Sequence, residues 1–211
     1  MYLCGKCVNK VPFAKTVCPY CFKSSIDGVT HSKCQKKFGL DGLISVWEYD
    51  GVVKGAILAT KYKYATLVGK ELSEYFYYYL NQKVASMPRF DCLVPIPLYW
   101  YKQNVRGFNQ STEFGAFVSK KIGCKFLPDL MIRKKYTKSQ ALLNREKRLV
   151  NLKDAFEINS SKDLVGISSV LIIDDVFTTG ATLKECAKVI KRHGIQKVWG
   201  LTLAMRSLFY R

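Results

Sequence analysis

The chain has 211 residues, 48% of them apolar and 24% charged, a balance that excludes wholesale disorder and suits one medium domain with a small appendage. No uninterrupted 18-residue apolar stretch exists, so no transmembrane helix is predicted. The opening Met1-Tyr-Leu-Cys-Gly-Lys6 lacks the basic and apolar regions of a secretory signal, which predicts a cytoplasmic protein. Lys and Arg number 34 against 16 Asp and Glu, a net +18 that favours a polyanionic partner such as nucleic acid, anionic lipid or a phosphorylated substrate.

Residues 1–40 hold seven lysines (6, 10, 15, 23, 33, 36 and 37) against the single acid Asp27, a net +6, and few large aliphatics. Such a segment cannot bury enough surface to fold unaided. It also carries Cys4-x2-Cys7-x10-Cys18-x2-Cys21. Each Cys-x2-Cys turn offers two thiolates to one metal, and two such knuckles make a tetrahedral zinc site. Without an export signal a disulfide framework is disfavoured. Cys4, Cys7, Cys18 and Cys21 are therefore expected to hold a structural zinc in a module spanning 1–40. His31-x2-Cys34 offers a further pair, so six candidates compete for four positions.

From Gly42 the texture changes. Leu43–Tyr49 reads as a strand, and Asp50 as the N-cap of a helix running to about Tyr62. A second helix fits Leu67–Gln82. Its aromatic run, Tyr75-Phe-Tyr-Tyr-Tyr79, must place two or three rings in the core, because consecutive residues point around a helix. Asp91–Pro97 is a buried strand stopped by prolines, and Phe108–Ile122 a helix ended by Gly123. Residues 131–153 carry eight basic side chains against Glu146 alone and read as a mobile, solvated insertion. Ser168–Asp174 is an apolar strand, Thr182–His193 a helix stopped by Gly194, and Val198–Met205 a last strand. Strands alternating with helices predict an α/β fold, a mostly parallel twisted sheet flanked by helices, over residues 41–211.

The most informative stretch is Val170-Leu-Ile-Ile-Asp-Asp-Val-Phe-Thr-Thr-Gly-Ala-Thr182. A buried strand ends in two carboxylates, a hydroxyl-rich turn follows, and a helix begins. Ligands bind at the carboxyl ends of strands in open α/β sheets. Amides from Thr178, Thr179, Gly180, Ala181 and Thr182, at a helix N-terminus, suit a phosphate. Gly180 permits the tight turn. Asp174 and Asp175 repel a phosphate and suit ribose hydroxyls, or magnesium held through water.

This segment resembles the phosphoribosyl-pyrophosphate (PRPP) signature of type I phosphoribosyltransferases. The resemblance implies that Asp174 and Asp175 hold the ribose hydroxyls and Thr178–Thr182 the 5-phosphate. The chain as a whole is similar to the ComF competence family, through the Cys-x2-Cys knuckles, Tyr49-Asp-Gly, Thr60-Lys-Tyr62, Val94-Pro-Ile-Pro97, Arg106-Gly-Phe-Asn-Gln110 and the pattern Ser139-Gln140, Leu143, Arg145, Arg148, Asn151, Ala155-Phe156. That resemblance implies a phosphoribosyltransferase-like domain with a role in uptake of transforming DNA, in company with uptake machinery at the inner face of the membrane. It makes Pro95, Ile96, Pro97, Leu98 and Tyr99 the pyrophosphate loop, assisted by Arg106, and casts Gln140, Arg145 and Arg148 of the basic hood 131–153 as a clamp. Three departures stand out: Ala181 where many transferases have Gly, a less basic stretch after Pro97, and His31 where many relatives have cysteine.

Two functions remain open on these residues. One is a phosphoribosyltransferase using PRPP and magnesium, with no recognisable acceptor pocket for a base. The other is a non-catalytic PRPP sensor that binds single-stranded DNA through its basic surface.

Overall fold

The computed structural model describes residues 3–61, 66–83, 87–135 and 152–206. Five parallel strands form one sheet in the order β1-β7-β6-β2-β3: β1 (Gly42–Glu48), β2 (Cys92–Pro95), β3 (Lys125–Phe126), β6 (Ser169–Phe177) and β7 (Lys197–Met205). A separate antiparallel pair joins β4 (Met131–Arg133) to β5 (Phe156–Ile158). The expected mostly parallel sheet flanked by helices is what forms.

Strand β6 lies between β2 and β7, with Val94 opposite Ile172 and Leu201 opposite Ile173. Its side chains alternate between two cores, as a strand's period of two requires. Val170 and Ile172 face one side, where helix α6 (Ala181–Arg192) lays down Leu183, Cys186, Ala187 and Ile190. Leu171 and Ile173 face the other, against α2 (Gly51–Ala59), α3 (Thr66–Lys83) and α5 (Gln110–Ile122). With both faces covered, the strand reads as a continuous apolar run. In the aromatic run of α3, Phe76 and Tyr79 are core while Tyr78 is exposed.

Residues 3–40 pack on this frame and divide between its faces. Helix α1 (Gly5–Val8) places Val8, with Leu3 and Val11, in the core behind α3. The chain then runs antiparallel along the free edge of β1: Ala14 donates to the Val46 carbonyl at 2.9 Å and Pro12 accepts from the Glu48 amide at 2.8 Å. Covering an edge strand this way removes a template for aggregation. Beyond it, Val17, Phe22 and Leu40 enter the α6-side core.

Two local differences from the sequence reading bear on the site. A short helix, α4 (Trp100–Arg106), follows the Pro97 stretch, and Gly107 ends it at φ +77°. Helix α5 starts at Gln110 and not at Phe108, because Asn109 takes the N-cap and accepts from the Ser111 amide at 3.0 Å.

Candidate functional site

The carboxyl ends of β1, β2, β6 and β7 converge on one cavity of about 370 Å³. Its walls include Ile96, Pro97 and Leu98 after β2, Arg106 from α4, and Gln110 and Ser111 from α5. The floor is Asp174 and Asp175, followed by Thr178, Gly180, Ala181 and Thr182. Three predicted residues stand back from it. Pro95 closes β2, Tyr99 is the N-cap of α4, and Thr179 is buried with its hydroxyl accepting from the Ala181 amide at 3.4 Å. Gln140, Arg145 and Arg148 lie outside the described residues.

The turn after β6 holds its shape because of its sequence. Gly180 takes φ +73°, and a Cβ there would stand 2.5 Å from the Phe177 ring. Glycine avoids both the left-handed strain and the clash. Helix α6 begins at the next residue, so its first amides open into the cavity beside the threonines. Across the cavity Asn109 donates from its side-chain amide to the Ile96 carbonyl at 2.9 Å, tying the start of α5 to the proline loop. Arg106 donates to the Gln110 side-chain oxygen at 3.3 Å.

The two aspartates differ in surroundings. Asp175 pairs with Lys61 at 3.3 Å. Asp174 accepts from the Asp175 amide at 2.9 Å and from the Ser111 hydroxyl at 3.4 Å. Loss of hydration, and the charge of Asp175 beside it, raise the Asp174 carboxyl to about 7. Arg133 also lines the cavity, with its guanidinium 5.4 Å from the centre of the Phe156 ring. Burial lowers its pKa, opposed by the nearby Asp174 carboxylate. The expectation of a solvated basic run therefore fails at Arg133, because β4–β5 pairing turns it inward.

Tyr49, Lys61, Asn109, Arg133 and Arg206 also line the cavity, with Val176, Phe177 and Leu183. Tyr49, Lys61 and Asn109 stand inside motifs visible in the sequence. Arg133 and Arg206 have no such signal; they come in only because β4 and β7 end at this rim.

A second group of side chains lies on the α6 side. Cys18, Cys21, His31 and Cys34 bring three sulfurs and one imidazole nitrogen within 4.8 Å of one another. The expected set of Cys4, Cys7, Cys18 and Cys21 is corrected at its first pair. Cys4 and Cys7 are exposed at α1, and the chain between the pairs runs along β1, so that the neighbouring Val8 and Val17 enter different cores. The Cys7 and Lys6 amides, with the Cys7 thiol, hold the Cys4 thiol below its usual value. In the four-residue group the His31 Nδ1 is 3.3 Å from the Cys21 sulfur, while its Nε2 meets the Ser24 carbonyl at 3.0 Å. With Nε2 donating to that carbonyl, Nδ1 is the free ligand nitrogen. Three thiolates and one imidazole at this spacing fit tetrahedral zinc.

Two outcomes follow from this geometry. Asp174 carries a pKa above that of an unfolded aspartate, so the native state binds the extra proton between about pH 4 and 7 and loses stability as pH rises through that window. Asp174→Asn should therefore match the natural protein near pH 4 and exceed it by about 1–3 kcal/mol at pH 8 in urea unfolding; equal stability at both pH values would refute the desolvation. Elemental analysis should find about one zinc per chain, lost in Cys34→Ser and retained in a Cys4→Ser, Cys7→Ser double variant. The reverse pattern would restore the four-cysteine set.

No family model matches the chain. It is 26% identical over 205 residues to competence protein F of Haemophilus influenzae, covering 95% of this chain and 84% of that one. It is 28% identical over 209 residues to the DNA utilization protein YhgH of Escherichia coli strain K12, covering 94% and 89%. Among solved structures, an adenine phosphoribosyltransferase is 15% identical with a TM-score of 0.38, covering 67% of this chain and 71% of that one. The Saccharomyces cerevisiae enzyme is 17% identical with a TM-score of 0.39, covering 67% and 70%. The chain is thus similar over nearly its whole length to competence protein F and to YhgH, and its aspartate pair and threonine turn are set on a parallel sheet.

Proposed function

We propose that this protein binds PRPP in the 370 Å³ cavity and serves the handling of incoming DNA, as the names of its relatives suggest. The observation that carries the reading is the partition of charge inside one cavity. Two carboxylates occupy the floor at the end of β6, while Lys61, Arg106, Arg133 and Arg206 stand around them with the first amides of α6. A ligand that is hydroxyl-rich in the middle and phosphorylated at both ends matches that partition.

In this reading the Thr178–Thr182 turn takes the 5-phosphate on backbone amides and hydroxyls. Asp174 and Asp175 accept from the two ribose hydroxyls. The Ile96–Leu98 loop with Arg106 faces the pyrophosphate, and magnesium bound to that pyrophosphate would supply further neutralising charge. Arg133 and Arg206 stabilise negative charge that grows if pyrophosphate departs. The Cys18, Cys21, His31 and Cys34 group holds zinc in a structural role.

The DNA half of the proposal rests on the net charge of +18. Lys33, Lys36 and Lys37 are exposed beside the metal-ligand group. Among the described residues no helix is long and apolar enough to cross a membrane.

Titration calorimetry with PRPP and magnesium should show saturable binding, and an Asp174→Asn, Asp175→Asn double variant that stays folded should weaken it at least about 100-fold, the loss of two charge-assisted hydrogen-bond sets. Undiminished affinity would reject the assignment. Release of pyrophosphate with one base from a panel would establish transfer, and binding without turnover a sensor. Single-stranded DNA should bind with little regard to sequence and with a salt slope of roughly −0.7 per phosphate neutralised. Charge reversal at Lys33 and Lys37 should lower that affinity and leave PRPP untouched; no binding at low salt would sink the DNA role.

A further inference from the structure

Lys184 sits in the first turn of α6 but is absent from the cavity lining. Its ammonium lies 4.9 Å from the centre of the Tyr20 ring, 5.4 Å from Phe22 and 6.0 Å from Phe177. It also donates to the Thr179 carbonyl at 3.1 Å. Two of the three rings come from the Cys18–Cys21 knuckle: Tyr20 lies within it and Phe22 follows its second sulfur. The third, Phe177, is the residue immediately before the Thr178–Thr182 turn.

The contact is built on both sides. Phe22 takes φ +62°, a backbone region that disfavours large side chains, yet its ring is buried. That ring packs on Phe177 with centroids 5.8 Å apart. The Phe22 amide donates to the Cys18 carbonyl at 3.0 Å, so ring and ligand turn move as one piece. Tyr20 is anchored as well, its hydroxyl accepting from the Leu40 amide at 2.8 Å. On the far side Phe177 fixes Gly180, which has no room for a Cβ beside that ring.

We infer that the metal centre and the phosphate turn are one coupled unit, with Lys184 as the positioning residue between them. A bound zinc fixes the knuckle, the knuckle fixes Tyr20 and Phe22, and these hold the ammonium that grips the Thr179 carbonyl. Loss of metal then loosens the turn, and by reciprocity a ligand on the turn slows metal loss. The inference rests on the reading of this turn as a sugar-phosphate site, but the coupling itself has a readout that needs no ligand.

The test uses the full-length, zinc-loaded protein. Hydrogen exchange is followed at the 178–182 amides, with the 198–204 amides of β7 as internal reference. Lys184→Met keeps the apolar stem and removes the ammonium. It should speed exchange of the turn about tenfold, the combined worth of a partly buried cation–ring contact and one hydrogen bond, and leave β7 unchanged. Lys184→Arg, which keeps a cation over the rings, should restore most of the protection. Zinc release to an excess of chelator should be faster in Lys184→Met, and PRPP with magnesium should slow it in the natural protein but not in that variant. Turn exchange, or ligand-free zinc release, equal in Lys184→Met and the natural protein would overturn the coupling. Should Lys184→Met fail to fold, Phe22→Leu probes the same contact with the same two readouts. A natural protein that binds no PRPP would defeat the functional reading alone, because exchange and ligand-free zinc release still decide the coupling.

Discussion

Everything at this site depends on where β6 delivers its last residues. A strand buried on both faces must end either in a turn back to solvent or in polar groups that the fold can satisfy. Here Asp174 and Asp175 come at the end of an apolar run, while the strand still pairs with β7 through Phe177. Asp174 is therefore charged only at a cost, with its carboxyl raised to about 7 by loss of hydration and by its neighbour. A carboxylate so placed is poor for stability, and strain of this kind concentrates where a ligand relieves it. The surrounding elements serve that placement. Asn109 ties the proline loop to α5, Ser111 reaches the carboxylate, and Gly180 turns the chain so that α6 presents its amides to the same space.

Much of this was legible in the sequence, because it is local. A four-residue apolar run, two acids and a Thr-Thr-Gly turn fix strand, turn and helix within 13 residues, and the structure forms them in that order. Alternation of strands and helices gave the parallel sheet for the same reason, since a crossover helix leaves few other arrangements. The expectation of core rings in Tyr75–Tyr79 held through helical periodicity, with Phe76 and Tyr79 buried.

What escaped the sequence is what depends on distant pairing. The two Cys-x2-Cys turns have matching spacing, but spacing says nothing of the chain between them. Residues 12–14 hydrogen-bond to the edge of β1, and an extended strap along a strand separates its ends. That places Cys4 and Cys7 away from Cys18 and Cys21, and leaves His31 and Cys34 to complete the group. Arg133 looked like part of a solvated basic run until β5 paired with its strand. Helix α4 was hidden by two prolines and three aromatics that resemble a loop.

In the proposed function the Asp174 carboxylate accepts from ligand hydroxyls in a site that disfavours its charge. Binding then shifts its ionisation, since hydroxyl donors favour the charged form over the neutral one. Calorimetric titration of PRPP and magnesium at pH 7, repeated in buffers of different ionisation enthalpy, measures that shift directly. Release of a fraction of a proton is expected at pH 7, disappearing at pH 9, where Asp174 is already ionised. Binding heats independent of buffer at pH 7, or proton uptake in place of release, would contradict it.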